Sequence, residues 1–232
     1  MIAGDRRALI ESKPMQMAEG RLAYRNGRGT ISIAEDISLR QKERFVIAHE
    51  IGHIELHQDS EIRPICDEDA INEYREDKQP LEAAANEFAG ELLMPEEMFV
   101  DACNESPPRL EFLGEIASIF RTSLTSSAIR YATIGPRPAA VVLVRGGNVQ
   151  WFWPNPRFPY KYIDYYNEPP PRESVAGKIL SRGETPEDVE VVTARTWFGD
   201  NAPRDQYFCE STHYSERYDR ILCTLWEYEP DI

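Results

Sequence analysis

The chain has 232 residues, is 41% hydrophobic and carries a formal net charge of −14. That size suits one large domain or two small ones, and no apolar run reaches the roughly 18 to 20 residues of a membrane span. A negative field of this size repels a phosphate backbone, so direct nucleic-acid binding is not expected without a locally basic face, whereas a basic protein partner is attracted.

The N-terminus, MIAGDRRALIESKPMQ, has no apolar core and no small-residue cleavage site, so no secretion signal is read. Residues 1 to 20 carry little pattern and are expected to form a helix or a loose arm. Leu22, Tyr24 and the run Thr30 to Ile33 are strand-like, and Asn26-Gly27 is a turn signal, which together predict a hairpin. Ser38 then offers an N-cap for a helix through LRQKERFVIAHEIGHIELH. Gly52, inside that helix, costs about 1 kcal/mol against Ala, which points to something packed closely against it.

Residues 59 to 79 are polar and acid-rich and read as a solvated connection. A second helix follows in LEAAANEFAGELLMPEEMF, with Pro95 closing it. Beyond Pro107-Pro108, RLEFLGEIASIFRTSLTSSAIRYATIG reads as two short helices joined around Arg121 to Ser123, a helix-turn-helix-like shape that serves as a packing unit as often as a DNA reader. After Gly135-Pro136 the pattern changes. AAVVLVRGGNVQWFWP predicts a hairpin, SVAGKILSRG a helix closed by Gly183, and VEVVTARTWF, QYFCESTHYS and RILCTLWEY three strands. Trp151, Phe152 and Trp153 then alternate faces, and His213 reads as structural. The four cysteines, Cys66, Cys103, Cys209 and Cys223, form no CxxC pair and read as reduced thiols of a cytoplasmic protein.

Three of the four histidines, His49, His53 and His57, lie in one ten-residue stretch, AHEIGHIELH. Residues four apart share a helix face, so His49 and His53 can aim ring nitrogens at one ion. Glu50 lies beside them, placed to take a proton from a water that zinc has made acidic; that water would then attack a peptide carbonyl. This is the HExxH arrangement, which arises by chance in roughly one chain in a hundred of this length. His57 is about 12 Å along the axis from His49, too far to share the ion, and reads as a supporting or packing residue. A third ligand is sought on the next helix, among Glu82, Glu87 and Glu91, and the residues alone do not choose. Arg130, Tyr131 and His57 are candidates to stabilise an oxyanion.

RFVIAHEIGHIELH followed by LEAAANEFAGELLMP resembles the ImmA/IrrE family of zinc metallopeptidases, whose hallmarks are a HEIGH-type helix and an E-x-x-A-N-x-F-A-x-x-L-L-M-P helix, here Glu82 to Pro95. The resemblance continues through IASIFRTSLTSSAIRY and GGNVQWFW. It implies Glu82 as third ligand with His49 and His53, Glu50 as base, zinc (or Mn²⁺ or another divalent ion) as cofactor, and Glu87 and Glu91 as solvent or packing residues. Asn86 would orient a ligand or pack. It further implies an α+β fold. The expected layout is a zincin-like, gluzincin-type peptidase domain over 1–106, a helix-turn-helix-like segment over 107–135, and a small α+β domain over 136–232. That last domain resembles GAF-like or PAS-like sensors in strand order and would sense a ligand or bind a partner.

The family implies an endopeptidase that cleaves an Xre-type helix-turn-helix repressor, often encoded nearby, and so relieves repression of stress-response or mobile-element genes. Too few residues precede the motif for a built-in repressor domain, so the repressor is expected to act in trans. Two other readings stay open: a catalytically inactive, structural-zinc regulatory protein acting by protein binding, and a DNA-binding regulator using residues 110–132.

Overall fold

The computed structural model describes residues 8–15, 19–25, 28–37, 39–56, 65–66, 80–183 and 188–230. The chain is a mixed α and β structure with two sheets. It divides into two compact units: Met1–Pro95 with Phe120–Thr122, and Glu96–Ile119 with Ser123–Ile232. Residues 107–135 fall, apart from those three, in the second unit together with the C-terminal sheet.

In the first unit the expected hairpin forms from β2 (Gly20–Arg25) and β3 (Arg28–Ala34), with Leu22 opposite Ile31. Its turn, Asn26-Gly27, lies outside the described residues, as do Ser38 and His57. The helix-or-arm reading of residues 1 to 20 is corrected by β1 (Ala8–Lys13), an edge strand that runs parallel to β3. Its ladder is made by backbone groups, and its side chains carry no inward alternation. Ala8 is buried, but Leu9 and Ile10 are 74% and 47% exposed. Of the acid-rich connection, only β4 (Ile65–Cys66) is described; it pairs antiparallel with Gly20 and Arg21 of β2. The sheet order is β1-β3-β2-β4.

Two helices complete this unit: α1 (Arg40–Leu56) and α2 (Pro80–Leu93). Phe45, Val46, Ala48, Ile51 and Ile54 of α1 form a core with Leu22, Ile31 and Ile33 of the sheet and Ala89 of α2. The close packing expected at Gly52 is α2. A Cβ at Gly52 would stand 3.1 Å from the Cα of Ala85 and 3.2 Å from its carbonyl oxygen. The small residues Ala85 and Ala89 on the facing side are fully buried.

The second unit begins with α3 (Glu96–Cys103), directly after Pro95 and not foreseen from the sequence. The expected helix pair follows as α4 (Leu110–Phe120) and α5 (Leu124–Ile134). The sheet is antiparallel throughout, in the order β6-β5-β9-β8-β7, with β5 (Ala139–Arg145), β6 (Asn148–Pro154), β7 (Glu190–Thr193), β8 (Tyr207–Ser215) and β9 (Arg220–Glu227). Gly146 and Gly147, at φ +58° and +80°, supply the two left-handed positions that the tight β5–β6 turn requires. One sheet face packs Val142, Cys223 and Phe208 against Phe158 and the helix α6 (Val175–Arg182), which Ser174 caps and Gly183 ends. Phe152 joins this core, with Phe158 and Phe198 at 6.3 and 6.0 Å between ring centroids.

The opposite face is tied to the helix pair. Trp153, Val141, Thr224 and Ser211 form one row across the strands. From that row Trp153 Nε1 donates to Thr133 Oγ1 and Thr224 Oγ1 to the Pro108 carbonyl, while the Leu110 N–H donates to Ser211 Oγ, at 3.2, 2.6 and 3.0 Å. Cys103, Cys209 and Cys223 are buried free thiols.

The strand read over VEVVTARTWF ends at Thr193, and Ala194–Phe198 is instead a short helix, α7. A continued strand would send Trp197 and Phe198 to opposite faces. The helix buries both, and Trp197 Nε1 then donates to Glu210 Oε2 at 3.0 Å. Glu210 is fully buried and also accepts from the Ala176 N–H, at the start of α6, at 3.1 Å. Burial raises its carboxyl above the ordinary range, and hydrogen bonds from Trp197, Ala176, Val175 and Thr212 only partly pull it back.

A carboxyl raised in the folded state contributes stability that is present below its unfolded pKa and is lost as pH rises through the folded one. Glu210→Gln is therefore expected to flatten the decline in stability on going from the ordinary carboxyl range to higher pH. Urea unfolding of both proteins across that range checks this; parallel curves would contradict it.

Candidate metal centre

Helix α1 carries His49, Glu50 and His53 on a side that faces inward, and all three are buried. Four-residue spacing brings the two imidazoles together edge to face, with centroids 4.7 Å apart and planes at 82°. Their Nε2 atoms come within 3.1 Å. Helix α2 brings Glu82 to the same point. Its Oε2 is 3.0 Å from His49 Nε2 and its Oε1 is 3.4 Å from His53 Nε2. Among the described residues this is the one group of three His, Cys, Asp or Glu whose donor atoms converge, all within 4.8 Å of one another.

Asn86, one turn after Glu82 and fully buried, faces the other side of His49. Its Oδ1 is 2.8 Å from His49 Nδ1. A proton on Nδ1 that is donated to this oxygen leaves Nε2 with a bare lone pair. Electron-pair donors aimed at one point repel unless a proton or a cation stands among them. Separations of 3.0 to 3.4 Å match the edge of a tetrahedron, about 3.3 Å, around an ion with arms of about 2.0 to 2.1 Å. Two imidazoles and a carboxylate suit zinc, and also other first-row divalent ions.

Burial pushes the Glu82 carboxyl up, but hydrogen bonds and charge from His49 and His53 outweigh it and hold the group down to about 2. A metal-ligating carboxylate must be an anion, and the two imidazoles beside Glu82 favour that form.

The converging donor atoms do not include those of the other acids and histidines read from the sequence among the described residues. Glu87 and Glu91 lie on the exposed face of α2, and His213 is exposed on β8. His57 lies outside the described residues. Arg130 and Tyr131 are buried on α5 in the second unit. The Tyr131 hydroxyl donates to the Ser106 carbonyl at 2.6 Å, so its one proton is already committed. Of the eleven residues of α5 only Thr133 is exposed. A recognition helix has to offer a face to the DNA groove; α5 has Leu124, Thr125, Ser126 and Ile134 half-buried and the residues from Ser127 to Ala132 buried.

One neighbour of the site was not read from the sequence. Gly20, at the start of β2, lies so close to Glu50 that a Cβ on it would stand 2.5 Å from Glu50 Oε1.

The family model described as IrrE N-terminal-like domain, of the peptidase M78 class, matches residues 8–131, which include both helices of the centre. No curated protein sequence matches the chain. Among solved structures, a Mycobacterium tuberculosis transcriptional regulator is similar, with a TM-score of 0.55 at 13% identity. The match covers 94% of this chain and 64% of that one, and at this identity the likeness is one of fold.

Asn86→Ala is expected to weaken metal affinity about 10- to 100-fold by freeing the His49 ring. Glu82→Ala, which removes a donor, should weaken it further. Competition against a chromogenic chelator measures both; unchanged affinity in Glu82→Ala would mean that the metal is held elsewhere.

Proposed function

The chain belongs to the IrrE N-terminal-like family of peptidase M78 proteins, and from that premise we propose that it is a metal-dependent endopeptidase that cleaves a helix-turn-helix transcriptional repressor. The observation that carries the reading is the buried convergence of His49, His53 and Glu82, with Glu50 beside them on the same helix.

In this reading His49 and His53, through Nε2, and the Glu82 carboxylate hold a zinc ion; Mn²⁺ or another divalent ion suits the same donors. When bound, the ion supplies Lewis-acid polarisation and makes water acidic enough to ionise near neutral pH. The remaining work belongs to the chain. Asn86 Oδ1 keeps the proton of His49 on Nδ1. Glu50 accepts the proton of the attacking water and returns it to the leaving amine, a general base and then a general acid. In the rival reading, a structural metal in a binding protein, Glu50 has no chemical role. A fully buried carboxylate is a costly residue to place where a smaller apolar one would pack.

The repressor substrate is supported by the family and by a fold shared with a protein described as a transcriptional regulator. The net charge of −14 favours encounter with a basic DNA-binding protein over encounter with DNA itself. The site of action is the cytoplasm, and the outcome is release of stress-response or mobile-element genes. Among the described residues no helix is long and apolar enough to cross a membrane.

The test is incubation of the metal-loaded protein with the helix-turn-helix repressor encoded beside it, read by mass spectrometry of the fragments. One defined cut, abolished by chelator, is expected. Glu50→Gln should keep the metal and lose about 10²- to 10⁴-fold in cleavage rate. Undiminished cleavage by that variant would remove Glu50 from the mechanism.

A further inference from the structure

On α1, Lys42, Val46 and Glu50 are four residues apart and so form one stripe. The start of β2 lies along that stripe. Glu19 forms an ion pair with Lys42. A Cβ at Gly20 would stand 2.7 Å from Val46 Cγ1, 2.5 Å from Glu50 Oε1 and 3.3 Å from Glu50 Cδ. Real Cβ atoms essentially never come within 3.0 Å of a neighbour, so only glycine fits here without something moving. Glycine weakens a strand interior, and one of its recurring uses there is to let another group approach the backbone closely.

We infer that Gly20 is a positioning residue for Glu50: the bare backbone of β2 is the wall against which the carboxylate is seated. The inference rests on the reading of Glu50 as the general base. The strand cannot readily give way. Gly20 is paired with Ile33 of β3 on one side and Cys66 of β4 on the other, and the Ala34 N–H donates to the Glu19 carbonyl at 3.0 Å. Helix α1 is pressed from α2 at Gly52, and Val46 is fully buried. Val46 turns about a single bond inside a full core, so the carboxylate of Glu50, at the end of three rotatable bonds, is the part that moves most when a methyl group is added. The three atoms nearest a Cβ at Gly20 belong to Val46 and Glu50, not to His49, His53 or Glu82, so metal binding and base placement are separable at this position.

The experiment is a double-mutant cycle on the metal-loaded protein. Gly20→Ala is expected to keep metal affinity within about threefold of wild type and KM little changed, while kcat falls by about 100-fold, the scale of a 1 Å misplacement. Glu50→Asp withdraws the carboxylate by one methylene. In that background the same Gly20→Ala change should cost less than about threefold in kcat. A parallel cycle by urea unfolding, with Glu50→Ala, should show Gly20→Ala destabilising wild type more than the variant that lacks the carboxylate.

Equal costs of Gly20→Ala in both backgrounds, or a Gly20→Ala protein as active as wild type, would overturn the inference and leave the peptidase reading intact. A wild type that holds metal but cuts nothing would sink the peptidase reading instead. The unfolding cycle then judges the contact alone, and additive effects there would overturn it as well.

Discussion

The constraint on which the centre depends is the close approach of two helices at Gly52. His49 and His53 are on α1, Glu82 and Asn86 on α2, and their polar atoms meet at 2.8 to 3.4 Å. A side chain at Gly52 would press on the backbone of Ala85, one turn after Glu82, which would have to give by a few tenths of an ångström. The loss of helix propensity, about 1 kcal/mol, is the cost of bringing donors from two helices within range of one ion. Ala85 and Ala89 keep the facing surface equally smooth. The two sequence segments that carry the site are thus also the two that carry the packing which assembles it.

That coincidence explains what could be read in advance. HExxH is written in consecutive residues of one helix, and Glu82 with Asn86 in one turn of the next, so helical periodicity alone projects each set onto a face. Choosing Glu82 over Glu87 and Glu91 needed either the family pattern or the helix contact, because all three are acids in the same helix. Gly20 was illegible for a different reason. It touches Glu50 through a pairing between elements thirty residues apart, and an isolated glycine before a strand carries no mark of what faces it. The same holds for β1, which is held by backbone hydrogen bonds and buries one side chain, and for α7, where burial of both Trp197 and Phe198 overrode a strand-like run. Caps and turns, being local chemistry, were legible: Ser174 and Gly183 bound α6, and Gly146-Gly147 turns the hairpin.

The second unit gives the helix pair α4–α5 a role that its shape did not announce. A row of residues across the sheet fastens both ends of the pair, through Pro108 and Leu110 at one end and Thr133 at the other. Of the eleven residues of α5 only Thr133 is exposed, and its hydroxyl accepts from Trp153. The sheet's other face is closed by α6 and α7, which share one fixed point, the carboxylate of Glu210. A polar group at the centre of an apolar core costs free energy unless its hydrogen bonds are made. Here making them requires the start of α6 and the ring of Trp197 to be in place together, so one buried carboxyl group couples two helices that share no sequence.

Glu50 and Glu210 illustrate opposite uses of a buried carboxylate. Glu210 is surrounded by donors that hold it, and its burial serves cohesion. Glu50 lies against a backbone without a side chain at Gly20, on the helix that also carries His49 and His53. In the proposed reading, confinement of this kind demands glycine where the wall must be thin, and one methyl group at Gly20, far from the HExxH motif in sequence, would displace the base. The two glycines at 20 and 52 therefore belong to the proposed chemistry as much as to the fold: one lets α2 bring a ligand in, the other sets where the base comes to rest.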